Sequence, residues 1–186
     1  PQIKDQPKYA RYADYWVNFL AELLCSKLQI KREPILPGNA KGAIIITGDD
    51  DQAFLEKYEK QLEVLGDAPI TYFLHPLTRH NKSTLKTMLN RSDIELGIHP
   101  DALETPHLYS QIFSEQMKWF RESFKQSPLS VRNHGYLNDG YWGHLPAWLK
   151  EGIHISSNIP GLDGRILNGS LLPGRVCYNS MLTNHW

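Results

Sequence analysis

The chain has 186 residues, 41% of them hydrophobic, and its 20 basic and 20 acidic side chains cancel to a formal net charge of zero. That length suits one well-buried core and gives no expectation of two independent domains. A balanced charge without a basic run lacks the footprint of a protein that grips a phosphate backbone, so no nucleic-acid partner is expected. Cys25 and Cys177 stand far apart and form no metal-ligand spacing. No apolar stretch approaches the roughly 20 residues needed to span a bilayer. The expectation is a soluble chain of undefined oligomeric state, and the cytoplasm is the favoured compartment.

In chain order, Tyr12, Trp16, Phe19, Leu20, Leu23, Leu24 and Leu28 recur at helical spacing and predict an amphipathic helix over 9–28, packing on a single domain that spans 1–186. Pro34 and Pro37 end it. The run from Ala43 to Thr47, with three consecutive isoleucines, predicts a strand buried on both faces. A helix follows over 53–65 and stops at Gly66. Strands are then expected over 70–74, 93–98, 129–132 and 153–156, with helices over 83–89, 107–125 and 145–151. A sixth strand is expected near Val176–Tyr178, and 160–173 reads as an irregular loop. Strict alternation of strand and helix implies an α/β fold with parallel strands. Periodicity does not choose between a closed barrel and an open doubly wound sheet. In both, ligands gather beyond the carboxyl ends of the strands.

Those strand ends carry unusual chemistry. The first ends in Thr47-Gly48-Asp49-Asp50-Asp51, the second in His75-Pro76, the third in His99-Pro100 and the fourth in Arg132-Asn133-His134-Gly135. Acids at Asp49–Asp51 would serve as caps for the following helix. Three adjacent carboxylates repel, however, and a divalent cation with carboxylate and imidazole ligands would relieve them. His80, His107, His144 and His154 are read as structural histidines. His99 and His134 are read as metal ligands, and His75 as lining the pocket. Gly97 is expected to let something approach the β-strand closely.

These strand ends resemble the polysaccharide deacetylase (NodB-homology, carbohydrate esterase 4-like) superfamily over about residues 42–160. Its Thr-Phe-Asp-Asp-Gly motif is similar to Thr47–Asp51, which implies Asp49 as catalytic base and Asp50 as metal ligand. Its His-Ser/Thr-x-x-His motif resembles the stretch beginning at His99, although Leu103 stands where the second histidine would be. Its Arg-x-Pro segment resembles Arg132-Asn133-His134, with His134 in the proline's place. The resemblance implies a distorted (β/α) barrel with the metal held by Asp50, His99 and His134, zinc being the expected ion. Arg132 would orient or charge-balance Asp49. His75, Tyr136 and Trp142 are expected to bind substrate, Tyr136 and Trp142 by stacking on a sugar ring. The family's late Leu-x-His motif has no convincing counterpart: either the sequence is a piece of a longer protein, or His75, His185 or another residue supplies the proton. The implied activity is metal-dependent removal of an acyl group, in particular acetyl, from an amino sugar or polysaccharide. The alternatives are a non-catalytic metal- or carbohydrate-binding relative, or a hydrolase of another C–N or glycosidic bond.

Overall fold

The computed structural model describes residues 12–31, 44–137, 139, 143–158, 177–178 and 181–182. They fall into two compact units, one holding the described residues up to Ile44 and the other beginning at Ile45. In the first unit, helix α1 (Tyr12–Leu28) occupies the predicted segment, and its apolar positions Trp16, Phe19, Leu20, Leu23, Leu24 and Leu28 are exposed. No described helix is long and apolar enough to cross a membrane.

The second unit alternates strand and helix as expected. Its order is β1 (Ile46–Asp50), α2 (Leu55–Leu65), β2 (Ile70–Leu74), α3 (Lys86–Leu89), β3 (Ile94–Ile98), α4 (Tyr109–Phe124), β4 (Ser130–Val131), α5 (Leu145–Glu151) and β5 (Ile155–Ser156). The five strands form one sheet in the order β1-β2-β3-β4-β5, and every pair is parallel. In-register pairing of Ile46, Ile70 and Ile94 aligns the first three strands, so their carboxyl ends finish at one edge. The expected sixth strand lies outside this sheet: β6 (Cys177–Tyr178) pairs antiparallel with β7 (Met181–Leu182). The loop expected over 160–173 lies outside the described residues.

Two expectations are corrected. The first strand lies about three residues later than predicted, because only Ile46–Asp50 pairs with β2, while Ile45 is 77% exposed. The isoleucine run therefore leads into the strand instead of forming its buried middle. The sequence spacing puts Leu108, Ile112, Met117, Phe120 and Phe124 on one face of the helix over 107–125; the buried face of α4 instead begins with Tyr109 and Phe113 and continues through Met117, Phe120 and Phe124, whereas Leu108 is exposed. Spacings of four, four, three and four keep these five on one stripe. They pack with Leu74, Ile98, Val131 and Trp148 into a single core cluster. Each such side chain contributes roughly 1.5–3 kcal/mol on full burial. Helices α4 and α5 are tied further by Glu151, whose carboxylate accepts from Arg121 Nη1 at 2.9 Å and from Ser114 Oγ at 2.6 Å.

Helix ends are set by local chemistry. Gly66, at φ +64°, caps α2 with its N–H on the Leu62 carbonyl, and Gly152, at φ +80°, closes α5. Both are left-handed positions that favour glycine.

Candidate active site at the carboxyl edge of the sheet

Arg132, the first residue after β4, organises the edge. Its Nη1 donates to Asp49 Oδ1 at 2.7 Å, and its Nη2 donates to Thr47 Oγ1 at 2.8 Å and to Ser157 Oγ at 2.7 Å. The guanidinium lies 4.5 Å from the centroid of the Phe73 ring. Its backbone carbonyl sits 2.6 Å from His99 Nδ1. One residue thus touches the ends of β1, β2, β3 and β5. A planar fork with several fixed donors does this where an ammonium would not.

The close approach expected at Gly97 is made by protein. A Cβ there would stand 2.6 Å from the Phe73 ring and from Ser130 Oγ. The missing side chain lets the Phe73 ring lie across β3, and the ring in turn supports Arg132.

Three imidazoles gather beside this pair. Ring centroids are 6.0 Å apart for His75 and His99, 5.0 Å for His75 and His134, and 5.1 Å for His99 and His134. His75 and His99 are buried, and His134 is half-buried. Burial pushes the His99 imidazole below the ordinary histidine value, against the opposing charge of Asp49 and the bond to the Arg132 carbonyl. A neutral imidazole is the ligand form. Among the described residues, two groups could hold a metal ion: Asp51, His99 and His134, and also His75, Asp101 and His134, with the ligand atoms of each within 4.8 Å of one another.

The triple-aspartate turn splits into three environments. Asp49 faces Arg132. Asp50 is fully buried and turns away: its Oδ1 accepts the Ala53 N–H at 3.0 Å, and it belongs to neither ligand group. Tyr58 lies against it, and burial first, then the Asp50 charge, push that phenol well above its ordinary range. Neither Asp50 Oδ2 nor the Tyr58 hydroxyl completes a well-formed hydrogen bond among the described residues. Asp51 points outward, with its Oδ1 4.0 Å from His134 Nδ1.

The rest of the predicted set divides. His75 Nε2 faces Asp101 Oδ2 at 3.4 Å. Burial alone would raise the Asp101 carboxyl, but the Leu103 N–H and the charges of His134 and His75 hold it below the usual carboxylate range. Tyr136 is 37% exposed in the turn that follows His134. Trp142 and His185 lie outside the described residues. Of the histidines read as structural, His80 and His144 are buried, while His107 and His154 are exposed. Sequence reasoning gave Asp101 no role, although it stands two residues after His99. It also gave Asp51 none beyond the motif, because three consecutive acids do not reveal which one points where.

No protein-family model matches the chain, and no curated protein matches it in sequence. Among solved structures it is similar to a crystal structure from Bordetella bronchiseptica, named as a "putative polysaccharide deacetylase involved in o-antigen biosynthesis", with 23% identity and a TM-score of 0.50. The match covers 71% of this chain and 54% of that one, so the chain spans about half of its neighbour's length. At this identity the likeness shows the fold, an α/β domain built on a parallel sheet.

Proposed function

We propose that this chain is a metal-dependent hydrolase that removes an acyl group, in particular acetyl, from an N-acylated sugar, on a distorted barrel of the polysaccharide deacetylase type. The observation that carries the reading is the Asp49–Arg132 pair at 2.7 Å, set beside His99 and His134 at the carboxyl edge of a parallel sheet. The likeness in fold to a structure named as a deacetylase supports it.

The residues fit a divalent metal. His134 Nδ1 is buried without a hydrogen-bond partner among the described residues, as a ligand nitrogen awaiting an ion would be. His99 and His134, with one carboxylate of the Asp49–Asp51 turn, would hold the ion; the family resemblance assigns Asp50. Zinc suits two imidazoles and a carboxylate. When bound, it polarises an acyl oxygen and lowers the pKa of a coordinated water.

The protein's own groups supply the rest. Asp49 is the base, held by Arg132 with its second oxygen left to take a proton from the attacking water. Arg132 balances the charge of Asp49 and fixes its direction. Asp49 then holds the proton that the departing amine needs, and His75, paired with Asp101, lines the pocket. Tyr136, at the rim, and Trp142 stack on the sugar.

The test is acetate release from N-acetylated oligosaccharides by the purified, zinc-loaded protein. Asp49→Asn is expected to lower turnover by roughly 10²–10⁴-fold, the range for loss of a general base, while zinc content by mass spectrometry stays unchanged. Full activity in Asp49→Asn would overturn the assignment.

A further inference from the structure

Resting on that reading of a metal hydrolase, we infer that the carboxylate ligand is Asp51, and that Asp50, the residue the motif resemblance points to, is a buried anchor of the turn. The hydrogen bonds that each candidate donor already makes decide this.

A neutral imidazole has one N–H and one lone pair, so a partner at one nitrogen fixes what the other can do. His99 Nδ1 faces the Arg132 carbonyl, which only accepts, so Nδ1 carries the proton and Nε2 keeps its lone pair. That is the arrangement in which metal-bound histidines are oriented. His75 is wired the other way. The Leu77 N–H donates into His75 Nδ1 at 3.0 Å, which puts the proton on Nε2, facing Asp101. His75 therefore has no lone pair for an ion, and the group made with Asp101 and His134 loses its first member. Asp101 is engaged as well, through His75 and through the Leu103 N–H at 3.1 Å.

The three acids differ in the same way. Asp49 is committed to Arg132. Asp50 is 0% exposed, its Oδ1 receives the Ala53 N–H and Tyr58 lies against it; its Oδ2 is unbonded among the described residues but belongs to neither ligand group, and turning the side chain outward would give up the Ala53 bond. The Asp51 carboxylate makes no hydrogen bond among the described residues, and its Oδ1 is 4.0 Å from His134 Nδ1. Two donors on one tetrahedral zinc, at bonds of 2.0–2.2 Å, lie about 3.4 Å apart. A small rotation of the exposed Asp51 side chain supplies the difference.

Zinc affinity of the full chain, measured by chelator competition with metal content by mass spectrometry, tests this. Asp51→Asn is expected to weaken zinc by more than the roughly 10–100-fold that outer-shell changes cost, while Asp50→Asn and His75→Gln stay within that range. Wild-type affinity in Asp51→Asn would overturn the inference, as would loss of zinc from an Asp50→Asn protein with unchanged circular dichroism. Should Asp50→Asn fail to fold, Asp51→Cys loaded with Co²⁺ decides instead. A thiolate-to-cobalt charge-transfer band is expected, and its absence refutes Asp51 as a ligand. If His99→Ala keeps wild-type affinity, the metal-hydrolase reading itself fails. If His99→Ala loses zinc and Asp51→Asn does not, only the carboxylate assignment fails.

Discussion

A methyl group at position 97 would collide with the Phe73 ring and Ser130 Oγ at 2.6 Å. Ser130 is pinned by its bond to Glu95 at 2.6 Å, and Phe73 is pinned between β3 and the guanidinium of Arg132. Neither neighbour yields without moving the site. Gly97→Ala is therefore expected to cost about 1–3 kcal/mol, the range for overpacking a tight core. The melting temperature should fall by several degrees. Because the displaced ring carries Arg132, acetate release should fall more than the remaining folded fraction explains. An alanine variant with wild-type stability would show that the ring has room to move.

At the scale of elements, the histidine turn after β4 is held from behind. Gly135 and Tyr136 both have positive φ, +59° and +52°, and for tyrosine that conformation needs outside support. Asn133 provides it by donating from Nδ2 to the Leu137 carbonyl at 2.7 Å. Asn133 Oδ1 accepts from the Tyr109 hydroxyl at 2.6 Å, and that hydroxyl accepts the Trp148 indole N–H at 2.7 Å. Helices α4 and α5 thus brace the loop that presents His134. Tyr109→Phe removes both bonds from a buried network and is expected to cost about 1–3 kcal/mol in urea unfolding. Amide exchange at residues 134–136 should quicken more than exchange in β2; equal change in both would deny the brace. This support was hidden in the sequence, since Tyr109, Asn133 and Trp148 are spread over 40 positions and no periodicity links them. What local signals bound was legible: β2 and α5 were predicted at their observed limits, the first between short polar turns, the second between a proline at its start and Gly152 at its end. The start of β1 was misplaced because three isoleucines in a row carry no register. Strand ends brought His75, His99 and His134 together as their positions suggested, but the directions of Asp50 and Asp51 depend on Tyr58 and Ala53, contacts formed only in the folded chain.

For the molecule as a whole, acid is expected to be the weak side. His144 is buried, stacks on Tyr109 with ring centroids 3.6 Å apart, and leaves Nε2 without a hydrogen-bond partner among the described residues. Burial lowers its pKa from the ordinary 6.5, and Asp139 offsets this only in part. The folded state therefore resists a proton that the unfolded state accepts. Above pH 6.5 the group is neutral in both states and contributes no slope. As pH falls below 6.5, the unfolded chain binds the extra proton and stability declines until the lowered folded value is reached. His99 adds a decline of the same sign. His144→Phe keeps the stack and removes one titrating group, so its stability should fall less steeply between pH 6.5 and 5 than that of the wild type. Parallel curves would assign the acid sensitivity elsewhere.

The contacts of Arg132 also place the site late in the assembly of the chain. Its bonds to Thr47 and Asp49 span 85 and 83 residues, and its bond to Ser157 reaches 25 residues forward. Contacts so distant in sequence form only after intervening loops have closed, and that closure is entropically slow. During synthesis, the guanidinium meets its last partner only after Ser157 has emerged, when all five strands are already made. A chain whose fifth strand is delayed would hold much of its core with its candidate site still unassembled, so gain of the proposed metal binding would time the final step of folding and not its first collapse.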